Sequence, residues 1–533
     1  MLNVKALEKH IHGAMTAEKV PALAVAVVDR ERTLYVKGFG TTAADSTGRA
    51  VTDQTLFRIA STTKPLTATL IMCLLQDGLI KLDDPVIAHI PELRLSSPGA
   101  AEQVTVRHLL SHRSGLPAGG EELGHHGPNA LSDFVSRTVP GYGLVAPPGV
   151  LYSYSNPGYS LLGHVAERVT GQTFGSLMSA RVFKPLGMHL TTFDPLVALT
   201  YPFALPHRLE ANGTLQPLHA TLDEPAAWPA GFAIANALEL SYFAQLLLNE
   251  GCTATGTVLR PESVREMLSP QADMLSAAGD SYGLGLFLRS QRGVMLAEHG
   301  GSIPTYESVF QVAPEHGLAL VILSNRPHTG GIALLPDCLW NELLDLTDGP
   351  EPANAQRTDD LQEGQVPTGT FIGNRRGLVR LGYDGAAPWM ELNGWRLPLR
   401  PVRKDVYVGD FDGGSVSLGV LRSDDSAVRF VLLEGSVCER AVLEMTTPPD
   451  ATTLEKLVGR YESFDVITVE LADGTLTMKS QMHGERRMTC QGLGGLRFAS
   501  DYGVLEFVQA ETGTVDQLIV WDQFPLRRAA AYT

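Results

Sequence analysis

Apolar positions follow a helical spacing in the first twenty residues, where MLNVKALEKHIHGAMTAEKVP reads as an amphipathic helix. Two apolar strands follow, 21–29 (PALAVAVVD) and 32–40 (RTLYVKGFG), joined by a short turn at Arg30-Glu31. Pro65 to Gln76 returns to three-and-four spacing, with Leu66, Leu70 and Leu74 beside Met72 and Leu75. Leu79 to Ile90 reads as a loop and short helix, and Val104 to Leu110 as another short helix. Gly158 to Val169 is a clean helix, and 226–249 supplies a glycine-containing turn and a further apolar helix. From Tyr282 the pattern becomes strand-like, through 283–289, 294–300, 305–313 and 318–325, before a last helix from Ile332 to Leu344. Helix, hairpin, helices and then consecutive short strands predict an α+β fold: an antiparallel sheet flanked by helices.

The pattern changes again after residue 346. Thr347 to Pro367 is polar, proline-containing and aperiodic, and reads as a linker. Two stretches of short alternating strands follow. The first opens Thr368-Gly369-Thr370-Phe371 and reaches Asp384-Gly385; the second opens Val458-Gly459-Arg460-Tyr461 and reaches Asp473-Gly474. These landmarks lie 90 and 89 residues apart, which predicts two copies of one β module. Closure removes exposed strand edges, so both are expected to be small barrels. The expected division is 1–346, a linker 347–367, a barrel 368–445, a linker 446–455 and a second barrel 456–533.

Composition narrows the function classes. The 533 residues are 44% hydrophobic and 19% charged, which describes a globular chain. A formal charge of −16 without a long Lys/Arg run argues against nucleic acid as a partner. No apolar run approaches the ~20 residues that span a bilayer, and the N-terminus lacks a secretory pattern, so no membrane insertion and a cytoplasmic location are expected. Cys73, Cys252, Cys338, Cys438 and Cys490 are scattered without CxxC spacing, which argues against a disulfide scaffold or a cysteine metal site. His125-His126 sits in a Gly/Pro-rich loop without a suitably spaced carboxylate, so no metal is assigned.

Three short motifs carry chemistry. Ser61 and Lys64 lie three apart at a helix start, on one face, where a lysine of lowered pKa can take the serine's proton. An N-cap serine and a surface lysine would give the same letters. Tyr154-Ser155-Asn156 opens the next helix: a tyrosine that could shuttle protons and an amide that could anchor a lysine or substrate, or simply an Asn-Pro turn. In His299-Gly300-Gly301-Ser302 the glycines let backbone run close to a ligand, and the Ser302 amide could face that of Ser61 as an oxyanion hole; a hairpin turn is the plain alternative. His112, in Ser111-His112-Arg113-Ser114, could be offered as a general base but has no usefully spaced serine or acid and reads as structural.

In this order and spacing, Ser61-x-x-Lys64, Tyr154-Ser155-Asn156 and His299-Gly300-Gly301 resemble the penicillin-recognising serine hydrolases. That superfamily includes class C β-lactamases, D-Ala-D-Ala carboxypeptidases, D-aminopeptidases and esterases. The phrases LFRIASTTKPLTA, GLIKLDDPV, VTVRHLLSHRSGLP, PGVLYSYSNPGYSLLGHVAERVTG and YGLGL extend the resemblance over roughly residues 15–345.

The resemblance implies a β-lactamase-like sheet with a helical lobe. It makes Ser61 the acylating nucleophile, Lys64 its base, Tyr154 the proton shuttle and Asn156 an orienting amide. His299 would be a catalytic residue, a basic or hydrogen-bonding group beside the substrate where relatives often have lysine; Gly300 and Gly301 would line the cleft, and the Ser61 and Ser302 amides would hold the oxyanion. No cofactor is required. The implied substrates are small peptides, amides or esters, with D-residues among them. An esterase and a penicillin-binding protein without turnover are the alternatives, and a homo-oligomer is left open. Histidine at 299 is similar to the D-aminopeptidase and esterase branches, because a neutral imidazole holds a free carboxylate less firmly than lysine does. A catalytic unit followed by two lipocalin-like barrels resembles the layout of bacterial D-aminopeptidases. There a barrel loop gates the site; here 476–492, with Glu485, Arg486 and Arg487, and the stretch before Trp521 are the candidate gate.

Overall fold

Strand β1 (Ala22–Asp29) has no polar face. Ala22, Ala24, Ala26 and Val28 enter one core while Leu23, Val25 and Val27 enter another. A strand buried on both faces belongs inside a sheet with a layer on each side. In the computed structural model it pairs with β2 (Thr33–Gly40) and, across the sheet, with β8 (Leu318–Ser324). The sheet continues through β7 (Tyr306–Ala313), β6 (Val294–Ile303), β5 (Phe287–Gln291), β4 (Ser281–Tyr282) and β3 (Ala272–Asp273). The order is β2-β1-β8-β7-β6-β5-β4-β3, antiparallel throughout. The structure describes residues 2–119, 125–209, 214–219, 223–254, 256–303, 305–326, 334–344, 346, 366–373, 377–392, 394–411, 414–422, 428–441, 449–462, 466–480, 487–494, 496–500, 503–509, 514–520 and 524–528.

Helices α1 (Val4–Glu18) and α5 (Leu335–Leu344) cover the Leu23 face, packing Leu7, Ile11, Leu339 and Trp340 against it. The other face meets α2 (Thr63–Gln76) and α4 (Ala237–Leu248), and beyond them a helical region that includes α3 (Asn156–Thr170). Helix α2 is buried from Thr63 through Leu74, on every side, as a helix in the middle of a core must be. Its interior threonines are satisfied locally: Thr67 donates to the Pro229 carbonyl (2.7 Å) and Thr69 to that of Pro65 (2.9 Å). Among the described residues no helix is long and apolar enough to cross a membrane.

One strand starts later than its sequence pattern suggests. The apolar run 283–289 becomes extended only at Phe287, because Gly285 takes a φ of 90° and lies against α2, where a Cβ would stand 2.6 Å from that of Ala68. That approach ties the sheet to the helix bearing Lys64.

Eight strands between Gly369 and Arg440 form a closed barrel, sealed where Phe371 and Ile372 pair with Arg440 and Glu439. Phe371, Val379, Met390, Leu418 and Val431 fill its interior. The expectation of a second barrel is corrected by the structure, since strands between Gly459 and Arg528 form an open nine-stranded sheet. Its two edges are Arg487–Thr489, paired with Thr475–Ser480, and Gln491–Gly494, paired with Arg497–Ser500. Only Cys490 separates them in the chain. Strands that face one another as a hairpin need a turn of about two residues, so these edges change partners instead of pairing. A helix, Ala451–Leu457, occupies the second half of the stretch expected to be a second linker, capped by Asp450, which accepts from the Thr453 amide at 2.7 Å. Residues 347–365, and residues 481–486 of the candidate gate with Glu485 and Arg486, lie outside the described residues; Arg487 pairs with Glu470 of its own sheet, and the stretch before Trp521 is the strand Val515–Val520.

The closed barrel docks on the edge of the first sheet. Arg403 grips the Asp273 carboxylate with both terminal nitrogens (2.8 and 3.2 Å) and donates from Nε to the Ser276 carbonyl (2.9 Å). Leu275 sits so close to Gly419 that a Cβ there would be 2.4 Å away, and Met274 packs on Gly435 in the same manner at 2.8 Å. Met274 in turn belongs to an apolar cluster with Ala272, Tyr152 and Tyr282, against which Tyr154 and Phe287 pack.

Candidate active site

The nucleophile candidate is held by a turn with few degrees of freedom. Phe57 and Arg58 pair with Ala235 and Ile234, Ala60 takes a left-handed φ of 45°, and a single 3₁₀ turn over Ala60–Thr62 leads into α2. Thr63 donates to the Ala60 carbonyl (2.7 Å) and accepts from the Ala233 amide (3.1 Å). Thr62 Oγ1 lies 3.0 Å from the His299 carbonyl and 2.8 Å from Ser308 Oγ, and Ser308 donates to the Ile59 carbonyl at 2.7 Å. Hydroxyls on the turn and on β7 therefore fix the turn to β6.

Lys64 is fully buried, yet its Nζ has three oxygen neighbours: the Ala230 carbonyl at 2.6 Å, Asn156 Oδ1 at 2.8 Å and Ser61 Oγ at 3.1 Å. The Tyr154 ring centroid lies 4.7 Å from the same nitrogen and that of Tyr159 5.4 Å. Asn156 is delivered by the start of α3, where Ser155 Oγ caps the Gly158 amide at 3.2 Å. Ser61, Lys64, Tyr154 and Asn156, spread over 96 residues of sequence, thus converge on one nitrogen.

The glycine pair runs beside them. The ladder between β5 and β6 ends at the Phe287–Glu298 pair, so residues 299–303 are laddered only on the β7 side. Their other edge meets the Ser61 turn. A Cβ on Gly301 would stand 2.2 Å from the Ile59 carbonyl oxygen, a contact that real side chains do not make, and 3.0 Å from the Ser61 amide nitrogen. Gly300 and Ser302 are exposed on the alternate face of the strand.

His299 is placed with the others but under them. It is 1% exposed, against Phe287, Tyr282 and Tyr154, with ring centroids 5.2, 6.2 and 6.3 Å away. Nδ1 lies 2.6 Å from the Gly300 carbonyl. A carbonyl only accepts, so Nδ1 carries the proton and Nε2 the lone pair. Burial, reinforced by the charge of Lys64, pushes its pKa down to about 3. The buried His112 is depressed well below the usual histidine value for the same two reasons.

An unfolded histidine takes up a proton near pH 6.5, whereas His299 in the folded chain does so only near 3. Between those values the unfolded chain binds more protons, so stability falls as pH drops. Chemical denaturation from pH 6.5 to 4 is expected to show that loss. His299→Leu should make its slope shallower by up to about 1.4 kcal/mol per pH unit. An unchanged slope would mean that His299 titrates normally.

Three participants carry no side-chain signal that spacing could reveal. The Ala230 carbonyl, 166 residues from Lys64, is a backbone atom; Thr62 and Ser308 act on backbone oxygens. His125 and His126 lie elsewhere, the first 2.8 Å from Thr138 Oγ1 and the second 3.9 Å from Glu224.

The Beta-lactamase family model matches residues 7–336. Penicillin-binding protein 4 of Amycolatopsis lactamdurans is 31% identical over 292 residues, covering 54% of this chain and 75% of the relative. Unguisins hydrolase ungD of Aspergillus violaceofuscus is 27% identical over 373 residues, 63% of this chain and 64% of the relative. Among solved structures, an octameric penicillin-binding protein homologue from Pyrococcus abyssi superposes with a TM-score of 0.58 at 24% identity, over 82% of this chain and 100% of that one. SurE superposes with a TM-score of 0.62 at 22% identity, over 82% and 98%. The two structural likenesses speak for the fold, and the family match spans well over half of the sequence: the chain belongs to the beta-lactamase family, within the superfamily of β-lactamase and penicillin-binding serine hydrolases.

Proposed function

We propose that this protein hydrolyses amide or ester bonds of small substrates, D-residue peptides among them, through an acyl-enzyme on Ser61. The observation that carries the reading is the set of oxygens around Lys64 Nζ. A neutral amine has two N–H groups and one lone pair. The Ala230 carbonyl and Asn156 Oδ1 accept the two protons, which leaves the lone pair for the Ser61 hydroxyl. After the proton moves, the ammonium donates to all three oxygens, so only the direction of the Ser61 bond changes.

In this mechanism Ser61 Oγ attacks the substrate carbonyl carbon as its proton passes to Lys64. The oxyanion rests between the Ser61 and Ser302 amides, with Gly301 letting the strand come close enough. Collapse expels the amine or alcohol, which takes the Tyr154 hydroxyl proton while Lys64 returns the serine's proton to Tyr154, and Asn156 keeps Lys64 in place. Water then attacks the acyl carbonyl by the same route and restores Ser61. His299, neutral and under the cleft, supplies no cation for a substrate carboxylate; this supports uncharged or amino-bearing substrates over carboxylate-anchored ones. The names of the relatives at 31% and 27% identity, a penicillin-binding protein and a hydrolase, support acyl transfer as the reaction type. The octameric homologue makes a homo-oligomer the proposal for assembly.

Steady-state assays with D- and L-alanine p-nitroanilide, D-Ala-D-Ala, a short p-nitrophenyl ester and a chromogenic cephalosporin test this, together with mass spectrometry of the quenched enzyme. Turnover with an acyl increment on the Ser61 peptide is the expected result. Turnover with an acyl group elsewhere, or with none, sinks the assignment.

A further inference from the structure

We propose that His112 is the positioning residue of Tyr154; this rests on the reading of Tyr154 as the group that carries the leaving-group proton. His112 holds the short run Ser153-Tyr154-Ser155 from both flanks. Its carbonyl accepts the Ser153 amide proton at 2.7 Å, and its Nδ1 accepts that of Ser155 at 3.0 Å. Between these bonds its ring lies against the Tyr154 ring, with centroids 4.2 Å apart and planes tilted by 36°. Both bonds require an unusual backbone. His112 has a φ of 56°, which L-residues other than asparagine, aspartate and histidine adopt rarely.

The bonds also fix its chemistry. Because Nδ1 accepts a proton from an amide, it must be the bare nitrogen, so the proton of the neutral ring sits on Nε2. His299 has the opposite tautomer. His112 therefore stays uncharged near Lys64, and the ring supports Tyr154 without adding a cation to the site. It is not a base for Ser61: it is wholly buried, and Ser61 Oγ is bonded to Lys64. The remaining sides of the ring meet Tyr159 at 5.2 Å, Tyr282 at 4.7 Å and Tyr152 at 5.9 Å, so it has no room to turn away.

The test uses the full chain and three substitutions. Asparagine places Oδ1 about where Nδ1 stands and tolerates positive φ; glutamine carries its acceptor one methylene too far; phenylalanine keeps a ring and has no acceptor. Turnover is measured on D-alanine p-nitroanilide, whose leaving amine needs the proton carried by Tyr154, per folded molecule, beside Tyr154→Phe. His112→Phe and His112→Gln should lower kcat about ten- to a hundredfold with KM within about threefold, while His112→Asn stays within about threefold of wild type. Either of the first two suffices if the other does not fold. Wild-type kcat in both overturns the proposal, as does an Asn variant damaged as much as they are. If Tyr154→Phe keeps full activity, the reading of Tyr154 fails first and the role of His112 with it. A His112→Phe that loses only thermal stability shows a purely structural residue.

Discussion

Lys64→Arg is expected to lower kcat/KM by about ten-thousandfold, the upper range for a lost general base. The substitution preserves the positive charge, which separates two roles that deletion to alanine would merge. A guanidinium does not give up its proton at any working pH, so it has no lone pair to offer Ser61. The site also has no spare volume: Lys64 is wholly buried, with its Nζ fixed by Ala230 and Asn156. Accommodating the larger head is expected to cost about 1–3 kcal/mol of stability. The decisive measurement is accumulation of acylated Ser61 in the variant after rapid quench, corrected for the folded fraction. An arginine variant that acylates within tenfold of wild type would show that Lys64 acts through its charge alone, and the base would have to be sought elsewhere.

Tyr154→Phe should divide the substrates. An amine leaves a tetrahedral intermediate only when protonated, whereas p-nitrophenolate departs without help. General-acid assistance is worth roughly a hundred- to ten-thousandfold where it is needed. The anilide is therefore expected to lose about a thousandfold in kcat and the p-nitrophenyl ester about tenfold or less. Phenylalanine keeps the ring over Lys64 Nζ and against His112, so packing is largely retained. Equal losses on both substrates would mean that Tyr154 serves the attack of Ser61 rather than the departure of the leaving group.

The arrangement around Lys64 shows what the amino-acid sequence discloses and what it withholds. Ser61 and Lys64 share a helix start, so their proximity follows from three-residue spacing alone, and a tyrosine and an asparagine at another helix entrance are natural candidates to meet them. The third oxygen on Nζ belongs to Ala230, whose side chain advertises nothing. His112 stands out among its neighbours, but its grip on Ser155 goes with a left-handed backbone angle that the letters do not announce. The two-faced burial of β1 could be read from ALAVAVVD, and the alternation beyond residue 366 showed strands. Closure of the second set of strands did not follow, because nothing in the letters around Cys490 marks a strand that changes partners without turning. The helix at Ala451–Leu457 was equally hidden: seven residues, threonine-rich, are too few to show a period.

The seat of Leu275 and Met274 on the barrel bears on where this enzyme ends. Chain connectivity suggests a cut in the polar stretch before residue 366, leaving the first sheet and its helices as a free-standing hydrolase. Solvent would see that fragment differently. The segment Ala272–Ser276, with Leu275 in a left-handed conformation (φ 50°), is flanked on one side by Tyr152 and Tyr282 and on the other by Gly419 and Gly435. Removing the barrel would wet two aliphatic side chains, one of them Met274 of the cluster on which Tyr154 packs, and release Arg403 from Asp273. The packing around Tyr152 and Tyr282 is therefore finished by barrel residues that lie beyond the family match, which ends at residue 336.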